Sequence, residues 1–185
     1  MNTKLIFGFS ILCVVCFLEL TAAKPKFKFN SDSTELSCKR CKLDKFPSWV
    51  YRLPNLKRID FSHNRISSVP DSLYLLPKLE AVIFRDNKIE LVGKEFLALS
   101  ELKHIDLSQN RISYISEMIL ENKKLERLEL WSNLLSFLPA DIDKLPRLNY
   151  IDLRLNTFDN KEQEKLKIQF KSKKIYFSKN CNCGG

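Results

Sequence analysis

Apolar positions recur along this chain at a fixed interval. From Leu102 the frame reads Leu-x-x-Ile-x-Leu-x-x-Asn-x-Ile, filled by Leu102, Ile105, Leu107, Asn110 and Ile112. The frame returns at Leu56 to Ile66, Leu79 to Ile89, Leu125 to Leu135 and Leu148 to Phe158, always by the step that separates Leu79 from Leu102. A constant period in the range of roughly 20–50 residues marks a solenoid or array, in which each repeat buries its apolar face only against its neighbours. Apolar residues two apart, such as Ile105 and Leu107, predict a short strand with one face inward. An asparagine follows each strand, at Asn64, Asn87, Asn110, Asn133 and Asn156. Its amide both donates and accepts, so one per coil can satisfy backbone groups of adjoining coils where the chain turns. The expected product is a parallel sheet along one side, an apolar interior and a ladder of asparagines.

The return half of each coil is equally regular. Phe46, Val69, Val92, Ile115 and Leu138 fill one column, and Val50, Leu73, Phe96, Ile119 and Ile142 a second. Leu53, Leu76, Leu99 and Leu145 fill a third, which Asn122 interrupts. Pro47, Pro70 and Pro139 follow the first column, where a fixed φ suits the first position of a short helix. Gly93 and Ser116 replace proline in the middle coils. The opposite side should therefore carry helices or 3-10 turns of a turn or two each. One more step back places Leu36, Cys38, Cys41 and Leu43 in a degenerate first coil. After Phe158 the pattern changes. Asn160 and Gln163 are spaced as a capping box, predicting a helix to Phe170 or Lys171, followed by a last strand over Lys174 to Ser178 that covers the open sheet edge.

These five frames resemble the leucine-rich repeat family, in particular its short secreted members with 23-residue repeats. The resemblance implies an α/β solenoid, with a curved parallel β-sheet on the concave side and short helices or 3-10 turns on the convex side. It also implies a non-enzymatic module that holds a protein or peptide ligand on the concave face. The organisation expected is a signal peptide over 1–23, an arm and degenerate first coil over 24–52, five repeats over 53–158 and a cap over 159–185. Cys41 stands at an asparagine position, where the family also accepts cysteine. Cys181 and Cys183 match the Cys-x-Cys that opens the family's extracellular carboxy-terminal cap, but the continuation of that cap and the upstream cysteines of the amino-terminal cap are missing.

Composition is that of a globular chain: 185 residues, 44% apolar and 29% charged. Lys4 precedes an apolar run from Leu5 to Leu18, and Thr21-Ala22-Ala23 supplies small residues for cleavage, the features of a secretory signal. The expected location is secreted and extracellular, or periplasmic in a bacterium, with a lipid anchor on Cys16 as the lesser alternative. Four cysteines remain in the mature chain, Cys38, Cys41, Cys181 and Cys183. Six coils at about 4.8 Å each put the two pairs nearly 30 Å apart, beyond the roughly 7 Å between Cα atoms that a disulfide allows. Any pairing among the four is therefore local or between molecules, and Cys38 and Cys41 read first as packing residues of an end coil, next as a local disulfide and third as a metal-binding Cys-x-x-Cys.

The register also assigns the concave face. Its rows contain Arg85, His104, Asp106, Arg127, Glu129, Trp131, Tyr150, Asp152 and Arg154, and exposed tryptophan, tyrosine and arginine are the types that anchor interfaces. Asp106, Glu129 and Asp152 fall on neighbouring strands, where like charges repel. Flanking arginines neutralise them, or a cationic group of a partner does. The net charge of +9 lies elsewhere: seven lysines against two glutamates between Lys161 and Lys179. That basic end is a solvated cap or a contact for an acidic glycan or anionic membrane, which makes a self-associating or matrix-attached adhesive protein the alternative function. No catalytic motif, metal-ligand cluster or cofactor loop occurs, and no nucleic-acid module; a monomer is expected.

Overall fold

The computed structural model describes residues 32–178, so the signal peptide, the basic arm before Asp32, and Cys181 and Cys183 lie outside the described residues. Seven strands form one parallel sheet: β1 (Glu35–Ser37), β2 (Arg58–Asp60), β4 (Ala81–Ile83), β6 (His104–Asp106), β7 (Arg127–Glu129), β8 (Tyr150–Asp152) and β9 (Lys174–Tyr176). Leu36 pairs with Ile59, Ile59 with Val82, Val82 with Ile105, Ile105 with Leu128 and Leu128 with Ile151. The period of the sequence is thus the strand register itself. Every one of these central residues is buried, because the middle residue of each strand points into the stack.

The asparagines stand in file. Asn110 Oδ1 accepts the Ile89 N–H at 3.0 Å, and its Nδ2 donates to Phe84 O at 3.1 Å and Leu107 O at 2.9 Å. Asn64, Asn87, Asn133 and Asn156 repeat this three-way bond between a coil and the one before it. Just ahead of each asparagine the chain takes a left-handed turn at His63, Asp86, Gln109, Ser132 and Leu155, with φ between 53° and 58°.

The convex side carries 3-10 helices at Ser48–Arg52, Asp71–Leu75, Glu117–Glu121 and Ile142–Lys144 and a single-turn α-helix at Lys94–Leu97. A second, two-stranded parallel sheet, β3 (Ser68–Val69) with β5 (Leu91–Val92), was not foreseen from the sequence. Its position accounts for Gly93: a Cβ there would lie 2.6–2.9 Å from Asp71, and the Gly93 N–H donates to Val69 O, a bond that proline could not make.

The two ends close differently. Cys38 and Cys41 form a disulfide with Cα atoms 5.6 Å apart, so of the three states open to them the local bridge is the one adopted. At the other end the helix Asn160–Gln169 is capped one residue earlier than the spacing suggested. Asp159 Oδ1 accepts the Glu162 N–H at 2.7 Å, while the Gln163 amide donates to Phe158 O. β9 then pairs with β8 one position later than the repeat would place it, Ile151 to Ile175.

Candidate binding face

Three rows of side chains rise from the concave sheet, and they differ in how far they are free. Before the buried column stand Arg58, Ala81, His104, Arg127, Tyr150 and, in the last strand, Lys174. Within this row the Arg127 guanidinium lies 3.7 Å from the Tyr150 ring centroid, and Tyr150 meets Tyr176 at 5.2 Å. Cation–π contact of this kind restrains both side chains.

The carboxylates of the next row are turned inward rather than outward. Asp60, Asp106 and Asp152 each accept the N–H of the residue two ahead, Ser62, Ser108 and Arg154, and all three are buried. They act as turn residues that end their strands. Asp152 is also clasped by the Arg154 guanidinium, at 2.9 Å and 2.6 Å, and Asp60 by Lys39 at 3.0 Å. Asp106 has no such cation bond among the described residues. Burial pushes its carboxyl above the ordinary value, an effect that its bonds from Ser108 only partly offset. Glu129 accepts from His104 Nε2 at 2.9 Å and Arg127 Nε at 2.6 Å, and with His104 foremost these partners hold its carboxyl down at about 2. Asp106, Glu129 and Asp152 therefore do not form an open acidic strip awaiting a cation. The chain's own side chains and turns have used them.

What the third row offers is aromatic and cationic. Arg85 reaches across the intervening coil to place its guanidinium 5.1 Å from the Trp131 ring centroid, steadied by the Gln109 side-chain oxygen at 3.0 Å. Trp131, Arg154, Leu155 and Ser178 line a shallow, open depression of about 360 Å³ at the carboxy-terminal end of the face. Sequence-predicted residues are thus brought into two neighbouring groups, His104–Glu129–Arg127–Tyr150 and Arg85–Trp131–Arg154, rather than one. Tyr176, Leu155 and Ser178 complete these groups. Tyr176 and Ser178 lay beyond a strictly constant register, and only the extra residue before β9 brings Tyr176 beside Asp152.

Among the described residues no group of three His, Cys, Asp or Glu side chains could hold a metal ion, and no helix is long and apolar enough to cross a membrane. Residues 55–76 match the leucine-rich repeat family model. No curated protein matches by sequence. A leucine-rich repeat protein of Leptospira interrogans is 34% identical with a TM-score of 0.70, over 74% of this chain and 35% of that one. The chain thus spans about a third of that relative's length. The leucine-rich repeat ectodomain of the receptor kinase SOBIR1 from Arabidopsis thaliana is 25% identical with a TM-score of 0.58, covering 66% of this chain and 70% of its own. An internalin from Listeria monocytogenes shares the fold at 21% identity and a TM-score of 0.63, over 80% of this chain and 44% of that one.

Proposed function

The chain is a leucine-rich repeat protein, and from that premise we propose that it is a non-enzymatic binding module which holds a protein or peptide on the carboxy-terminal half of its concave face. One observation carries this reading. Arg85, from the β4 coil, and Arg127, Trp131, Tyr150 and Tyr176, from the β7, β8 and β9 coils, meet in two cation–aromatic pairs and one tilted aromatic pair, beside a depression lined by Trp131 and Arg154. Side chains locked in this way lose little conformational freedom on binding, and these types dominate interface energetics. The parallel sheet beneath them is held by the asparagine file, so the surface is presented pre-formed. The signal-like amino terminus and the likeness to a receptor ectodomain support an extracellular setting for the encounter.

Affinity capture from the native medium tests the proposal, with wild-type protein compared against Trp131→Ala and Tyr150→Ala. Both positions are only partly buried, so these variants fold. The expected result is a specific partner recovered by wild type and reduced at least about ten-fold by each substitution, the scale of an interface hot spot. Recovery of the same partner by the double variant at undiminished yield would overturn the assignment of the site.

A further inference from the structure

The two flanks of the solenoid carry different kinds of surface. On the descending flank, charges alternate from coil to coil and pair: Lys57 with Glu80 at 3.0 Å, Lys103 with Glu80 at 2.7 Å, Lys124 with Glu101 at 2.7 Å. The ascending flank, where the chain leaves the concave sheet for the convex turns, sets cations beside exposed apolar groups instead. Arg65, Lys88 and Arg111 each stand one residue after their asparagine, all exposed, and Leu134 holds the same place in the next coil. The N–H of Arg65 donates to Leu43 O, that of Lys88 to Ile66 O, that of Arg111 to Ile89 O and that of Leu134 to Ile112 O. The backbone thus fixes the four in file, about one strand spacing of 4.8 Å apart.

Three residues further along each coil a second file begins. Leu91 is 73% exposed, Tyr114 50% and Phe137 49%, and the ring centroids of Tyr114 and Phe137 lie 6.0 Å apart. Leu134, itself 51% exposed, joins the two files at one end. Apolar side chains exposed singly need no explanation, but a contiguous patch rimmed by polar groups marks a contact with a protein or a membrane.

The make-up of this patch favours the membrane. Between the files stand the small residues Ser113 and Ser136 and one carboxylate, Glu90, which lies 3.6 Å from Arg111. Arg65 and Lys88 form no ion pair among the described residues. Leucines and aromatic rings beside long cationic stems are what a face lying in a bilayer interface needs: the apolar groups enter the acyl boundary while the cationic heads reach back to the lipid phosphates. Both files follow the coil axis on one side of the molecule, so a flat partner meets them together. The net charge of +9 adds attraction at longer range to a negative surface.

We propose that the ascending flank docks on an anionic lipid surface, with Leu91, Tyr114, Leu134 and Phe137 inserted and Arg65, Lys88 and Arg111 on the headgroups. The lysine-rich carboxy-terminal end is less suited to this contact, because Lys165 and Lys167 are already paired with Glu162 and Glu164. The concave face takes no part and stays available to its ligand.

Co-sedimentation of the chain from Lys24 onward with vesicles tests it, using phosphatidylcholine alone and phosphatidylcholine with phosphatidylserine in equal parts. Wild type is expected to bind the mixed vesicles at least about ten-fold more tightly than the neutral ones, and less tightly at high salt. Arg65→Glu with Lys88→Glu should weaken binding to the mixed vesicles at least about ten-fold. Lys161→Glu with Lys171→Glu makes the same change of net charge at the other place and should weaken it far less. Tyr114→Ser with Phe137→Ser should also weaken it about ten-fold, and Leu91→Ser, at a position too exposed to disturb folding, should weaken it by a smaller factor in the same direction. Trp131→Ala should leave it unchanged, which separates this contact from ligand binding on the concave face. A wild type that ignores the mixed vesicles overturns the proposal, as does binding indifferent to phosphatidylserine, binding that survives the flank substitutions, or binding weakened equally by the two charge reversals. A chain that ignores vesicles but binds heparin through Arg65 and Lys88 would overturn it too, and would give the flank to an acidic polysaccharide.

Discussion

Asn122 offers the most direct test of how this fold is stabilised. It stands in the column otherwise filled by Leu53, Leu76, Leu99 and Leu145, is fully buried, and neither Nδ2 nor Oδ1 has a hydrogen-bond partner. Its backbone does what the leucines' backbones do. The N–H donates to Ile119 O and the carbonyl accepts from Leu125, as Leu76 donates to Leu73 and accepts from Leu79. Its φ and ψ, −82° and 82°, lie near those of Leu76, −112° and 67°. A leucine, which has the same branching and the same number of side-chain heavy atoms and fills this column in the other coils, should therefore fit without moving the chain. Burying an amide unpaired costs about 1–3 kcal/mol, and replacing it with methyl groups adds packing, so Asn122→Leu should stabilise by about 2–4 kcal/mol. For a domain of this size each kcal/mol moves Tm by about 2–4 °C, so the rise should be of order 5–10 °C. Thermal and urea unfolding followed by circular dichroism would show it, with a higher midpoint at unchanged slope. An unchanged or lower Tm would refute the reasoning, and would mean that a buried water already satisfies the amide.

Asn110→Ala should cost about 3 kcal/mol or more in urea unfolding, since it strips partners from Ile89 N, Phe84 O and Leu107 O together. Because the coils stand or fall together, the loss should appear as one shifted transition rather than a new early one. Gly93→Ala should destabilise by about 1–3 kcal/mol, because the added methyl group meets the Asp71 backbone nitrogen at 2.7 Å; an unchanged Tm would show that the two convex turns slide apart freely. Asp106 and Glu129 should act on stability with opposite signs. Burial raises Asp106, so its charged form burdens the fold: Asp106→Asn should stabilise at pH 7, with the gain vanishing as pH falls through the folded value to below the unfolded value of 3.8. Glu129 is held at about 2 against an unfolded value of 4.5, so its contribution of about 3 kcal/mol is complete above pH 4.5 and lost as pH falls towards 2. Glu129→Gln should remove that contribution at neutral pH and flatten the acid limb of the stability profile, which a pH series of urea midpoints would reveal.

The backbone was written in the sequence because it repeats. One unchanging period fixes strand register, sheet polarity and the asparagine file at once, since each is the same interaction copied from coil to coil. Features that occur once were harder to read. The cap moved from Asn160 to Asp159 because both residues can cap, and the choice depends on where Phe158 locks into the stack. The paired strands at Ser68–Val69 and Leu91–Val92 carry no alternation long enough to signal a strand.

The same distinction explains the concave face. Register alone located nearly every residue on it, but not which side chains remain free. A row of aspartates at a strand end reads as surface charge, yet one that can reach the N–H two residues ahead becomes part of the turn, as Asp60, Asp106 and Asp152 do. The inward turn leaves the concave surface less acidic than its composition suggests. What remains outward is Arg85, Arg127, Trp131, Tyr150 and Tyr176, with Arg85 paired to Trp131 over an intervening coil and Arg127, Tyr150 and Tyr176 paired in turn over neighbouring strands. Substitutions in the aspartate row should therefore register in unfolding midpoints, and those in the arginine–aromatic row in partner recovery. A concave aspartate whose replacement changed binding at unchanged stability would break that division.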